Sequence, residues 1–178
     1  VPTFSWLKIT GLDTVLGPEM KSTGEAMGHG PNFGTAYLKA MKGGNKKIPT
    51  KGTVFVSISN DLKAEFIERA KRLKKLGFKL IATKGTAAHL RTSKINSEVI
   101  WRISDKKSPD ILSIMREGNV NLIINLPTGK RAATDGAQMR RLAVELGIPF
   151  ITTITGADAA IKSLEEGENN YLRPINKK

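Results

Sequence analysis

Thr53-Val54-Phe55-Val56-Ser57-Ile58-Ser59 decides the fold. It is a β-branched, largely apolar run bounded by Gly52 and Asn60, the pattern of a strand buried in a parallel sheet. The residues after it change period. Leu62, Phe66, Ala70 and Leu73 recur at helical spacing and form one apolar stripe, so residues 61–76 are expected to be a helix packed back on that strand. Glu65 with Arg69 and Glu68 with Arg72 are spaced for i,i+4 ion pairs on its wet side, and Gly77 supplies a left-handed stop.

The same unit repeats toward the C-terminus. Residues 78–83, 98–103, 120–125 and 149–153 read as four further strands. Helices are expected over 86–92, from Ser108-Pro109 as cap and first turn to residue 117, and over 135–146. Thr155 with Asp158 has the spacing of a capping box that opens a last helix ending near Gly167. Five strands alternating with helices predict an α/β fold, a five-stranded open parallel sheet with helices on both faces, because right-handed crossovers place successive helices that way. Ligands of such sheets sit at the carboxyl ends of the strands, where the strand order reverses.

That rule selects residues. The strand ends carry Ser59-Asn60, Thr83-Lys84-Gly85-Thr86, Arg102, Asn125 and Thr152-Thr153, a rim of hydroxyls, amides and cations suited to an anion. Thr83 and Thr86 bracket Gly85 at a strand-to-helix turn, where unpaired amides and the helix dipole favour negative charge. An ordinary helix cap at Thr86 explains the same residue equally well. Lys63 lies in the first turn of its helix, where a cation opposes the dipole, which points either to an anionic partner or to a solvated lysine. Lys130 and Arg131, in Pro127-Thr128-Gly129-Lys130-Arg131, fit a phosphate clamp or a plain polar loop. Asn125 ends the apolar run Leu122-Ile123-Ile124 with a group that donates and accepts, which suits a ribose, a base or an acyl amide. Trp101 packs internally or covers a planar part of a ligand.

Composition narrows the ligand class. The chain has 178 residues, 39% of them hydrophobic, which allows one domain of ordinary size plus an appendage. Its 29 Lys and Arg against 16 Asp and Glu give a net charge of +13, which attracts anions of every size. Aromatics are only 6% of the chain, no aromatic RNA-binding signature interleaves with the basic residues, and zinc-finger spacing is impossible without cysteine. Small phosphorylated metabolites or acidic neighbouring domains are therefore the expected partners, and nucleic acid is not. No run of about 18 apolar residues exists, so no membrane-spanning helix is expected. The absence of cysteine excludes disulfides and thiolate chemistry. His29 and His89 stand apart and form no recognisable metal shell.

Upstream of the first strand, Gly43-Gly44-Asn45-Lys46-Lys47-Ile48-Pro49-Thr50 reads as a linker. Before it, the one convincing element is a short helix over residues 33–41, whose apolar face is expected to be frayed or exposed. The run Gly17-Pro18-Glu19-Met20-Lys21-Ser22-Thr23-Gly24-Glu25, with Val1-Pro2-Thr3-Phe4-Ser5-Trp6 and Gly11-Leu12-Asp13 before it and Met27-Gly28 after it, resembles the closing segment of the second ATP-grasp half of carbamoyl phosphate synthetase large chains. The remaining residues resemble the C-terminal regulatory domain of those chains, of the methylglyoxal synthase-like family.

The resemblance implies a division into residues 1–42 (end of the synthetase half), 43–51 (linker) and 52–178 (regulatory domain), within a longer polypeptide. It implies strand order 3-2-1-4-5, with the switch between the first and fourth strands. In bacterial members, positions matching Lys63, Thr83, Thr86, Arg102, Asn125 and the loop 127–130 hold the phosphate and sugar of uridylate or inosinate; Lys84, Thr128 and Lys130 belong to the same expected site. In ureagenic members, positions matching Thr83, Thr86, Trp101 and Asn125 hold N-acetylglutamate. Thr152 matches a threonine near the ornithine site. No cofactor is implied for this fragment, whereas the parent enzyme is a ligase using ATP with magnesium. Its partners would be the synthetase domains of the same chain and a glutaminase small subunit, in the cytoplasm or, for the ureagenic branch, the mitochondrial matrix.

Free-standing methylglyoxal synthases share this fold. Their chemistry needs a carboxylate base poised by acid partners. Here the loop after the fourth strand reads Leu126-Pro127-Thr128-Gly129 without the expected aspartate, and Asp61 and Asp135 are accounted for as helix-entry residues. The fragment is accordingly expected to bind an effector and to catalyse nothing itself.

Overall fold

The computed structural model describes residues 1–3, 24–127 and 133–166. Thr53–Ile58 (β3) is the centre of a five-stranded sheet, with Lys79–Thr83 (β4) and Glu98–Ile100 (β5) on one side and Leu122–Leu126 (β6) and Phe150–Ile151 (β7) on the other. All neighbouring pairs are parallel, in the order β5-β4-β3-β6-β7. Numbered within the sheet, that is third, second, first, fourth, fifth, the order the resemblance implies.

Alternation along β3 builds two cores. Val54, Val56 and Ile58 face one side and pack with Phe66, Ala70 and Leu73 of Lys63–Lys75 (α2), with Ala87 and Leu90 of Lys84–Thr92 (α3), and with Ala157 and Ile161 of Ile154–Glu166 (α6). Phe55 faces the other side with Ile81 and Ile123, under Ile111 and Met115 of Ile111–Arg116 (α4) and Met139 and Ala143 of Ala133–Glu145 (α5). Side chains such as Phe55 and Phe66, each 1% exposed, contribute about 1.5–3 kcal/mol apiece by burial.

Several local expectations hold and others shift. Gly77 has φ +85, the left-handed stop after α2. A 3-10 turn at Asn60–Leu62 precedes α2. α3 begins at Lys84, two residues before the expected start, and β5 ends at Ile100, where a 3-10 turn at Ile103–Asp105 takes over. The cap of α4 is Asp110, not Ser108: its side chain accepts from the Ser113 amide at 2.9 Å, and Ser108-Pro109 lies in the loop before the helix. The last helix is opened by Thr153, whose hydroxyl accepts from the Gly156 amide at 3.0 Å, not by Thr155 with Asp158. Asp158 is engaged elsewhere: Arg69 Nε donates to it at 2.9 Å, and Arg72 lies 3.4 Å from it while also pairing with Glu165. Glu68 consequently pairs with Lys71 at i,i+3 instead of with Arg72. Glu65 and Arg69 do meet, at 3.5 Å.

The N-terminal helix is packed, contrary to expectation. Phe33–Gly43 (α1) is capped by Asn32 and lies against α6. The Asn32 amide donates to the Glu166 carbonyl at 3.2 Å, the Gly34 amide donates to the Glu166 carboxylate at 3.3 Å, and Lys162 lies 5.5 Å from the Phe33 ring centre. Thr35 and Ala40 are buried as a result. Two short strands, Pro2–Thr3 (β1) and Gly24–Glu25 (β2), pair antiparallel beside this helix's approach. The chain then crosses α1 at Gly28, where a β-carbon would stand 1.9 Å from the Ala36 carbonyl oxygen, so only glycine permits the crossing.

Candidate functional site

A polar cavity lies where the strand order reverses. A cavity of about 350 Å³ is walled by Ser57, Ser59 and Asn60 after β3, by Thr83 at the end of β4, by Arg102 and Ser104 after β5, by Asn125 and Pro127 at the end of β6, and by Asp135 and Gly136 in the first turns of α5. Ser57 and Asn125 are register partners across β3 and β6, so the break in strand order sets two polar side chains side by side. Residues 55, 57 and 59 share one face by alternation, and Phe55 closes the cavity below them.

Two features give the cavity its chemistry. Asn125 is 5% exposed and lines the cavity. The Ser59 hydroxyl is buried without a partner among the described residues. A buried group left in that state costs free energy, about 1–3 kcal/mol, unless a ligand or water satisfies it. Arg102 reaches the same cavity from an exposed position and brings positive charge. Asp135 closes the opposite wall, its carboxylate accepting from the Ser104 amide at 3.2 Å and the Ser104 hydroxyl at 2.8 Å.

The expected site residues divide into two groups. Thr83, Arg102 and Asn125 line the cavity. Lys63, Lys84, Thr86, Trp101 and Thr152 do not. Thr128 and Lys130 lie outside the described residues. Thr86 is 2% exposed and is no helix cap: its hydroxyl accepts from the Ile58 amide at 3.0 Å and from the Thr83 hydroxyl at 3.1 Å. The Thr83 hydroxyl therefore joins the cavity face of the sheet to the α2–α3 face. Lys63 donates to the Asn60 side chain at 2.7 Å, and its Nζ lies 3.2 Å from where a β-carbon on Gly85 would stand, so an ammonium hangs over the N-terminal turn of α3. Trp101 bridges to Asp110 and carries Lys107 over its ring at 4.5 Å, a cation–π contact that occupies one face. Thr152 is exposed after β7.

The strand-end rule alone missed Ser57, Ser104, Asp135 and Gly136. Ser57 had a readable signal, as the single polar residue inside an apolar strand. Asp135 was masked by its second role at a helix start, and the Ser104 contact depends on loop geometry that spacing does not carry. No cluster of His, Cys, Asp or Glu among the described residues is arranged to hold a metal ion. No helix among them is long and apolar enough to cross a membrane.

Fold and cavity together define an MGS-like domain, and residues 65–152 match the family described as "MGS-like domain". The methylglyoxal synthase of Elizabethkingia anophelis NUHP1 has the same fold, with a TM-score of 0.54 over 64% of this chain and 79% of that one at 14% identity. The chain is 48% identical over 169 residues to the carbamoyl phosphate synthase large chain, C-terminal section, of Methanocaldococcus jannaschii, covering 95% of this chain and 27% of that one. It is 47% identical over 163 residues to the corresponding section from Methanopyrus kandleri, covering 91% and 30%. It is 46% identical over 163 residues to the large chain of Archaeoglobus fulgidus, covering 91% and 15%. The chain thus carries an MGS-like domain over residues 65–152 and, over 91–95% of its length, is similar to C-terminal parts of carbamoyl phosphate synthase large chains. It spans less than a third of the length of each of these three relatives.

Proposed function

We propose that this chain is the regulatory part of a carbamoyl phosphate synthase large chain, and that its cavity takes a small phosphorylated effector, a nucleoside monophosphate such as uridylate or inosinate. The observation that carries this reading is the meeting of the buried, unpartnered Ser59 hydroxyl and the buried Asn125 with the cation Arg102 in one cavity at the switch point. A phosphate supplies acceptors and charge, while a ribose or base answers the amide. Lys63 and Lys84, at the N-terminal turns of α2 and α3 beside Thr83, support an anion at the rim.

Regulation follows if the effector binds two states of the assembled enzyme with different affinity and so biases their equilibrium. In this reading the ATP- and magnesium-dependent ligase chemistry, the glutaminase partner and a contribution to pyrimidine or arginine synthesis in the cytoplasm belong to the larger enzyme. N-acetylglutamate is the second ligand class. It needs an aromatic wall for its acyl group, and Trp101 does not line the cavity, which favours the nucleotide. A methylglyoxal synthase activity would draw on Asp135, the carboxylate in the cavity, but both Ser104 donors already bind it and neither His29 nor His89 lines the cavity.

Calorimetric titration with uridylate, inosinate, N-acetylglutamate and ornithine tests the reading. Saturable binding of a nucleotide, weakened by Arg102→Ala and by Asn125→Ala, is expected. N-acetylglutamate binding without nucleotide binding, or methylglyoxal formation from dihydroxyacetone phosphate above a protein-free control, would overturn it.

A further inference from the structure

Lys63 is held where its charge is least welcome. It is the first residue of α2, and its Nζ lies 3.2 Å from where a β-carbon on Gly85, the second residue of α3, would stand. The unpaired amides at both helix starts carry partial positive charge, so an ammonium in this position is repelled by both. Asn60 keeps it there, its Oδ1 accepting from Nζ at 2.7 Å. The nature of that acceptor matters. Lys71, Lys79 and Lys162 each pair with a carboxylate, from Glu68, Glu98 and Glu166, which offsets their charge. The oxygen on Lys63 belongs to a neutral carboxamide, which fixes the ammonium without cancelling it. Asn60 is in turn part of the site. It follows Ser59 at the end of β3, opens the 3-10 turn before α2 and lines the cavity with Ser59 and Thr83. Lys63 itself does not line the cavity, so Asn60 is the residue through which it is joined to the site. The Ser59 hydroxyl, buried without a partner among the described residues, marks the same stretch of wall as built for a ligand.

Resting on the effector-binding reading, we propose that Asn60 is a positioning residue. It holds the Lys63 ammonium, with its charge intact, at the rim beside the first turn of α3, so that the phosphate of the ligand finds the cation already in place. A restrained lysine loses less rotamer freedom on meeting an anion than a free one, and an uncancelled charge attracts that anion more strongly. The phosphate also relieves the repulsion between ammonium and helix start, which is the use the unfavourable placement has. Asn60 therefore acts through Lys63 and only toward the phosphate.

The test is calorimetric titration of the full chain with uridine 5′-monophosphate, inorganic phosphate and uridine. Asn60→Ala should weaken both phosphate-bearing probes by about three- to tenfold, the effect of one more long side chain to immobilise, and leave uridine unchanged. Asn60→Asp puts a carboxylate at the start of α2, so its melting temperature should hold or rise, yet it should weaken the same two probes by about tenfold or more by cancelling the ammonium. Lys63→Met supplies the decisive comparison: in that background Asn60→Ala should cause no further loss. Unchanged affinity of Asn60→Ala for both phosphate-bearing probes overturns the assignment and leaves the effector reading intact. An equal loss for uridine also overturns it, because Asn60 would then support the wall in general. So do losses that add in the Lys63→Met background, because Asn60 would then touch the ligand itself. A wild type that binds neither phosphate nor uridylate overturns the effector reading and this assignment with it.

Discussion

The Thr86 hydroxyl accepts the amide hydrogen of Ile58 at 3.0 Å, so the third residue of α3 is fastened to the last residue of β3. This makes Thr86 part of the scaffold behind the rim. Thr86→Val strands the Ile58 amide and should lower stability by about 1–3 kcal/mol, whereas Thr86→Ser keeps the acceptor and should stay within about 1 kcal/mol of the parent. Urea denaturation of the two variants distinguishes this from a ligand-only role, in which both would unfold like the parent.

Lys63 and Gly85 offer a separate test of the rim. Gly85→Ala places a β-carbon 3.2 Å from the Lys63 ammonium, which must move off the start of α3. Affinity for uridylate should fall by roughly fivefold, the effect of about 1 kcal/mol, with no loss of melting temperature, because alanine suits the helix. Equal binding by the two proteins would remove Lys63 from the anion site.

Trp101→Ala should leave uridylate binding within about twofold of the parent, since the ring does not line the cavity and a shift that small is under 0.5 kcal/mol. Fluorescence-independent calorimetry is the appropriate measurement. A large loss of nucleotide affinity would mean that the loop after β5 folds over the ligand.

Acid sensitivity is expected from the α2–α6 contact. Hydrogen bonds from Arg72, ahead of the cost of burial, hold the Glu165 carboxyl below its usual 4.5. A depressed folded-state pKa contributes stability that is present above the unfolded value and lost as pH falls through the folded one. Stability should therefore decline below about pH 4.5, and Glu165→Gln should flatten that part of the profile. The effect is a modest one, since the pair is exposed and solvent screens it. Chemical denaturation midpoints between neutral pH and about pH 3 supply the comparison, and parallel profiles for the two proteins would count against it.

Gly77→Ala should cost about 1 kcal/mol. Nothing lies within 4 Å of the added carbon, so the cost is purely that of φ +85. A melting temperature equal to the parent's would show that the turn adapts.

The parallel sheet was legible because Thr53–Ile58 and Leu122–Leu126 are long apolar runs separated by a helical period, and tertiary packing had no reason to override them. Boundaries were less so: Asp110 and Thr153 took the capping roles that Ser108 and Thr155 have the composition to play. Glu68 was assigned to Arg72 by spacing within one helix, but Asp158 and Glu165 on α6 attract Arg72 more strongly from outside it. Of the site, the strand-end residues Thr83, Arg102 and Asn125 were readable from topology alone. Asp135 and Gly136 were not, because a helix-start aspartate and a helical glycine each have a local explanation that hides their position against the cavity.

The grip of Glu166 on Asn32 and Gly34 also has a bearing on the order in which the chain acquires its structure. These contacts span 134 and 132 residues. During synthesis, β3 and α2 can associate soon after they emerge, being neighbours in sequence, whereas the contact between α1 and α6 forms only once α6 has been made. Residues 33–43 thus emerge ahead of the whole parallel sheet, yet gain their contacts with α6 only after that helix is complete.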